Sequence, residues 1–470
     1  MFSKWDEITD VIVIGSGFAG LAAAIEARNA GVSVIVLEKM AASGGNSIIS
    51  DGGIAAAGTN IQNKLGIKDS PELMYQDMLK AGLGLNYPDL LRQVTEKSNE
   101  VLQWTIDYLE VEYMDRLDVF GGHSVPRCLT PIGVSGATII KQQLKKLNEM
   151  GIKVRTRAFF KAFVKDSEGN IQGVLIRDGY SPKNTENGTE RNIGVRKGIV
   201  LATGGFGSDI DFRSTQDPRL TRDIDTTNKP FTDAEALKEA LRINAMPVQL
   251  SNIQLGPWGT PDEKGYGVGA RFSDYIVFPY GIVIDPDSGK RIVNELADRK
   301  TISDTILNIG HICIGIADAK AVETTGWDIK PCLEKEIIKN FADIQELASY
   351  YGIFLDELQH TVEQYNNFVA ERIDKEFGKQ ILADASPILT SPFYGIRTWP
   401  KVHHTMGGVQ IDQKAQIIDI NQQPIPRLYA AGEITGGIHG ACRLGSCAVT
   451  DCLVFGRIAG QNAASEEELK

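Results

Sequence analysis

Residues Asp10–Lys39 read DVIVIGSGFAGLAAAIEARNAGVSVIVLEK. Val11–Ile14 is a short, β-branched apolar run, which predicts a buried strand. Gly15, Gly17 and Gly20 follow it, and Ala19–Asn29 is rich in helix formers. Gly31 supplies the stop, Val34–Leu37 reads as the next strand, and Glu38 closes it. Strand, glycine turn, helix and strand open an α/β fold of Rossmann-like type. Each glycine has a task there. Gly15 allows the turn, Gly17 lets the backbone approach a pyrophosphate, and Gly20 lets the helix pack on the strand. Peptide N–H groups and the helix dipole then meet the phosphates. Glu38 stands where an acceptor of ribose hydroxyls is expected. A βαβ unit without a ligand is the plain alternative, and the acid at the strand end argues against it.

The rest of the chain asks how large that ligand is. Glycine numbers 48 of 470 residues, against about 7% in average composition. Much of it sits in Gly15–Gly20, Gly44–Gly58, Gly204–Gly207, Gly407–Gly408 and Gly432–Gly445. Clusters spread from end to end favour one large ligand contacted repeatedly. SGGNSIISDGGIAAAG begins soon after Glu38, and LATGGFG and LYAAGEITGG are apolar strands ending in small residues. An extended FAD needs such distant segments, and a nicotinamide dehydrogenase does not.

The bulk properties set limits. A chain of 470 residues exceeds one ordinary core. A net charge of −11 argues against nucleic acid and anionic membranes as partners. No apolar run is long enough to span a bilayer. The start, MFSKWDEITD, lacks the layout of an export signal. The expectation is a cytoplasmic protein, or a periplasmic one if a signal was trimmed. The six cysteines form no C-x-x-C, so free thiols packed as small apolar residues are expected, with no metal site. Lys153–Val164, Ile171–Ile176 and Gly194–Leu201 read as hairpin strands, and Ala234–Ile243, Glu334–Ser349 and Leu355–Glu371 as helices. Gly281–Lys290 reads as a strand and tight turn. Composition turns loop-like after Gln254, and the glycine-rich style returns at His403. The expected architecture is a split FAD-binding domain, residues 1–256 and 403–470, with an inserted α+β capping domain at 257–402.

Several stretches together resemble the flavoprotein family of fumarate reductase and succinate dehydrogenase, and within it the soluble, flavocytochrome c-type branch of unsaturated-acid reductases. They are DVIVIGSGFAGLAAAIEA, GGNS, LATGGFG, GKRIVNELADRK, HHTMGGV and LYAAGEITGGIHGACRLGSCAVTDCLVFGRIAG, spanning Asp10 to Gly460. The resemblance implies FAD as cofactor. Arg299 in ELADRK matches the arginine that gives the substrate a proton. His403 and Arg443 match residues that grip a substrate carboxylate, and His404 and Glu433 match positions along the flavin. The implied cofactor set is Gly15, Gly17, Ala19, Gly20, Glu38, Lys39, Gly44, Gly45, Asn46, Ser47, Gly52, Gly53, Ala202, Thr203, Gly204, His404, Gly432, Glu433, Arg443 and Ser446. Asn46 stands where membrane-bound relatives attach FAD through a histidine, so the cofactor is expected to be non-covalent. A guanidinium suits a carboxylate because it binds it bidentately. As an acid it is reluctant, with a pKa above about 12, so Arg299 needs a relay.

Departures from the family pattern narrow the substrate. Fumarate reductases carry a histidine for the second carboxylate where this chain has Gly256. In RFSDYIVFPYG, Asp274 stands in for the relay glutamate, and Val277 occupies the place of the relay arginine. Trp258, Tyr266, Tyr275 and Tyr280 make the region aromatic. An acrylate, methacrylate, cinnamate or urocanate type of acid is expected to fit better than fumarate. His123, His311, His360 and His439 read as structural. With no second dinucleotide turn, haem motif or iron–sulfur cysteine set, electrons are expected from a separate donor, a c-type cytochrome or another small redox protein. Two rival readings are an FAD-dependent oxidase or dehydrogenase of a small acid, and a flavin electron carrier without turnover.

Overall fold

The computed structural model describes residues 5–468. The opening unit forms as read: β1 (Glu7–Ile14), α1 (Phe18–Asn29) and β2 (Val34–Leu37). β1 and β2 pair in parallel, from Val11 opposite Val34 to Ile14 opposite Leu37. Strand Thr189–Leu201 lies parallel on the other side of β1, and strand Pro424–Ala430 lies parallel beside it. Val11, Ile12 and Val13 are wholly buried. A parallel strand covered on both faces reads as a continuous apolar run, which is why no alternation marks it. Gly198–Leu201 pair with β1, while Thr189–Gly194 pair with strand Ile171–Asp178. One long strand therefore serves both the parallel sheet and the meander, and it starts earlier than the expected Gly194.

The last helix, Cys447–Ser465, packs on α1 through small residues. A Cβ on Gly456 would lie 2.5 Å from the Ala19 carbonyl oxygen, and one on Gly460 would lie 2.2 Å from that of Ala23. Positions four apart share a helix face, so AGLAAA and GRIAG meet backbone to backbone. This contact ties the C-terminal segment to the dinucleotide turn.

The chain leaves this body along strand Ile253–Gly256 and returns along strand Lys401–Thr405. The two pair antiparallel, with Gly256 opposite Lys401. Between them lies a second sheet, wholly antiparallel, in the order Ile282–Ile284, Cys313–Asp318, Phe393–Thr398, Ile338–Phe341. Its faces have their own apolar clusters, one around Trp258, Val277 and Ile306 and another around Ile316 and Tyr365.

One expected helix is wrong. Glu334–Ser349 contains strand Ile338–Phe341, and the helix begins only at Ile344. Glu336 turns left-handed at φ 57°, which breaks the run, and Ile338 and Phe341 pair into the sheet. Asp343 restarts the chain as a helix by accepting from the Glu346 N–H. Leu355–Glu371 is a helix as read. The expected strand at Gly281–Lys290 is short, Ile282–Ile284, followed by its turn. All six cysteines are free, and all but Cys452 are buried. Among the described residues no helix is long and apolar enough to cross a membrane.

Candidate active site

Four parallel strands end at one cavity. Gly15 and Gly17 follow β1, and Glu38 and Lys39 follow β2. Ala202, Thr203 and Gly204 follow Thr189–Leu201, while Gly432 and Glu433 follow Pro424–Ala430; all line it. Ligands of doubly wound sheets bind at this carboxyl edge. Gly15 has φ 106°, and a Cβ there would lie 2.2 Å from the Ala202 carbonyl oxygen. Gly20 and Gly44 do not line the cavity but shape its wall. A Cβ on Gly20 would strike the Gly15 carbonyl oxygen at 2.0 Å, and the Gly44 N–H donates to Ser16 Oγ at 3.0 Å. Ser16 Oγ donates in turn to Glu38 Oε2 at 2.5 Å, and the Met40 N–H donates to Oε1 at 2.8 Å. Glu38 is thus held rigidly beside the turn. Lys39 pairs with Asp233 at 2.6 Å. Thr203 Oγ1 is buried with no partner in the protein.

A second cavity adjoins the first and shares Phe18, Asn46, Ser47, Glu433 and Cys452 with it. Together they make an elongated space, with bare backbone and an acid at one end and arginines at the other. Gly52, Gly53, His404, Arg443 and Ser446 line this second part, and Ala19 and Gly45 the first. The shape and the donor set fit FAD. The amide of Asn46 is held at both ends: Nδ2 donates to Asn228 Oδ1 at 2.5 Å, and Oδ1 accepts from the Lys229 N–H at 2.9 Å.

Arg299, His403, Arg443 and Asp274 all meet in the second cavity. Arg299 opens helix Arg299–Ile309, whose start is capped by Asp298. Its Nη2 lies 3.7 Å from Asp274 Oδ2. Burial pushes the Asp274 carboxyl up to about 6, against the pull of Arg299. Arg443 Nη1 donates to the Leu444 carbonyl at 2.9 Å, and Gln254 Nε2 donates to the Arg443 carbonyl at 2.7 Å. Burial and the charge of Arg299 bring the Arg443 guanidinium down to about 9. Arg443 Nε and Arg299 Nη1 are buried with no acceptor in the protein. His403 Nδ1 sits 2.8 Å from Thr227 Oγ1, and burial next to both arginines holds its ring well below the ordinary histidine range. His404 is depressed for the same reasons. Its Nδ1 lies 3.6 Å from Glu433 Oε1, which also accepts from the Thr405 N–H at 2.9 Å.

Residues that the sequence reading passed over complete the wall. Asp51 accepts from the Tyr266 hydroxyl at 2.5 Å, from Arg271 Nε at 2.9 Å and from the Tyr275 hydroxyl at 3.3 Å. An acid inside a glycine-rich stretch was its only signal. Thr227 and Asn228 also line the site, and no motif marks them. Of the four aromatic residues expected there, Trp258, Tyr266 and Tyr275 face the cavity. Tyr280 does not: its hydroxyl reaches Asp384 at 3.1 Å, away from the site. Val277 is buried in the core of the insertion. The remaining histidines lie off the cavity: His123 meets the Gly445 carbonyl at 2.9 Å, His439 meets Asp451 at 3.2 Å, His311 meets Asp285 at 2.8 Å, and His360 is exposed.

Comparison with known proteins bears on this site. A family model described as an FAD binding domain matches residues 10–449. The acrylate reductase flavoprotein subunit of Shewanella woodyi is 40% identical over 469 residues, covering 97% of this chain and 92% of that protein. The NADH:fumarate oxidoreductase of Klebsiella pneumoniae is 34% identical over 97% of this chain, which corresponds to 47% of that protein. The solved open conformation of a flavocytochrome c3 fumarate reductase superposes with a TM-score of 0.77 at 31% identity, covering 98% of this chain and 79% of that one.

Proposed function

Because this chain belongs to the fumarate reductase flavoprotein family of FAD-binding oxidoreductases, we propose that it reduces the C=C bond of an α,β-unsaturated carboxylate, and a monocarboxylate in preference to fumarate. The observation that carries this reading is the pair of buried donors without acceptors, Arg299 Nη1 and Arg443 Nε, in one cavity. A buried N–H left unpaired is costly. Two guanidinium groups converging on one space call for an anion, and a carboxylate matches their geometry.

FAD, once bound and reduced by two electrons from the donor, would supply the hydride that the β carbon of the acid takes up. Arg443 and His403 hold the carboxylate and draw electron density from the double bond. His403 would meet a carboxylate oxygen through Nε2–H, in the ring tautomer whose Nδ1 accepts from the Thr227 hydroxyl 2.8 Å away. Arg299 gives a proton to the α carbon, so hydride and proton together saturate the bond. Asp274, 3.7 Å away, returns a proton to Arg299, and a carboxyl near 6 carries one at neutral pH often enough to do so. Asn46 offers no nucleophile for a covalent link, and FAD is held non-covalently. The insertion at 257–402 acts as a cap that excludes water from the site formed with 1–256 and 403–470. Electrons come from a separate redox protein such as a c-type cytochrome.

The test is anaerobic. Protein is mixed with a reduced viologen dye and then with acrylate, methacrylate, cinnamate, urocanate or fumarate, following dye oxidation. A monocarboxylate is expected to react fastest, and a fumarate rate above all others overturns that preference. If no acid oxidises the dye while FAD stays bound, the protein is an electron carrier. Arg299→Lys is expected to lower kcat by about 10²–10⁴-fold with acid binding largely kept.

A further inference from the structure

Gly256 ends the strand that leads into the insertion, and its backbone does not lie in the left-handed region. Conformation therefore does not demand glycine there. What demands it is the indole two residues on. A Cβ at 256 would lie 2.6 Å from Trp258 Cη2 and 2.8 Å from Cζ2 and Cζ3. A side chain at 256 and an indole at 258 thus compete for one volume, and this chain fills it with the indole.

The ring is not free to leave. Trp258 is 1% exposed and belongs to the apolar core of the insertion. His403 packs edge-on against it with ring centres 4.7 Å apart, and Tyr266 at 5.4 Å. The Arg299 guanidinium carbon lies 5.5 Å from the ring, within cation–π reach. The same indole also lines the cavity. Arg299 and Arg443 are the only Lys or Arg side chains that line it among the described residues, and the other charged groups there are Asp51, Asp274 and Glu433. A second carboxylate on the substrate would therefore find no third cationic side chain in the wall, and on the side of position 256 it would meet the indole. Trp258 Nε1, buried without an acceptor, is one neutral donor and does not balance a second negative charge.

We propose that Trp258 is the specificity-determining residue of this site: by occupying the volume next to position 256, it limits the cavity to acids with one carboxylate. The inference rests on the carboxylate-binding role given above to Arg299, His403 and Arg443. Its test uses saturated acids, so that no turnover is needed. The FAD-bound protein is titrated with propionate and with succinate, and flavin absorbance is read in the wild type, Trp258→Ala, Gly256→Ala and Gly256→Ala/Trp258→Phe. The wild type is expected to prefer propionate, and Trp258→Ala to shift the ratio towards succinate by about tenfold or more. Gly256→Ala is expected to weaken propionate by displacing the ring, and the double variant to recover it. An unchanged ratio in Trp258→Ala overturns the inference. If that variant does not retain FAD, failure of the double variant to recover propionate binding overturns it instead. A wild type that responds to neither acid overturns the carboxylate-binding role itself, whereas a ratio unmoved in a protein that binds propionate overturns the role of Trp258 alone.

Discussion

Arg443 carries its charge at a cost, because it is buried beside a second guanidinium that brings its pKa down to about 9. In the carboxylate-binding role proposed for it, its hold fades as pH rises through this value. The expected kcat/KM falls about tenfold per pH unit above about 9, and binding there takes up a proton, which a weakly buffered titration reads. Asp274 poses the opposite problem. Its folded-state pKa of about 6 lies above the ordinary 3.8, so the native state keeps a proton that the unfolded chain gives up. The burial costs nothing below about pH 4, and on the order of 3 kcal/mol above about pH 6. Asp274→Asn is thus expected to raise the denaturant midpoint at pH 8, to leave it unchanged at pH 4, and to slow turnover. Equal shifts at both pH values count against it. Arg299, His403 and Arg443 were legible because motif residues flank them. Asp51 and Thr227 were not, because they act through side chains contributed by distant segments.

The glycine-rich loop after β2 does more than approach a ligand. Through Asp51 it grips Tyr266, Arg271 and Tyr275 of the insertion, joining two segments more than two hundred residues apart. Charge-assisted bonds of this kind contribute about 1.5–3 kcal/mol each when buried, and less here because Arg271 is 30% exposed. Asp51→Ala is expected to retain FAD but to loosen the insertion, with faster proteolysis within 257–402 and a KM raised more than kcat is lowered. Unchanged proteolysis would show that the ribbon of Ile253–Gly256 and Lys401–Thr405 holds the insertion alone. The continuous apolar run of Val11–Ile14, buried on both faces, and the alanine-rich α1 made the βαβ unit plain. Periodicity failed at Glu334–Ser349, where Ile337, Ile338, Phe341 and Leu347 suit either period and the left-handed turn at Glu336 leaves no trace in composition.

At the scale of the whole molecule, one dinucleotide turn serves one elongated cavity, and the insertion closes one end of it. The two adjoining cavities run from Gly15 and Glu38 to Arg299 and Trp258, and among the described residues β1 leads into the one dinucleotide turn of this kind. The separate electron donor proposed above has a direct test. In an anaerobic rapid-mixing experiment, reduced viologen or a reduced c-type cytochrome should bleach the flavin absorbance, and an unsaturated acid should restore it. NADH alone should leave the flavin oxidised over many turnovers' worth of time. Sustained acid reduction with NADH as sole donor would mean that the single cavity admits nicotinamide and acid in turn, and the separate-donor account would fall.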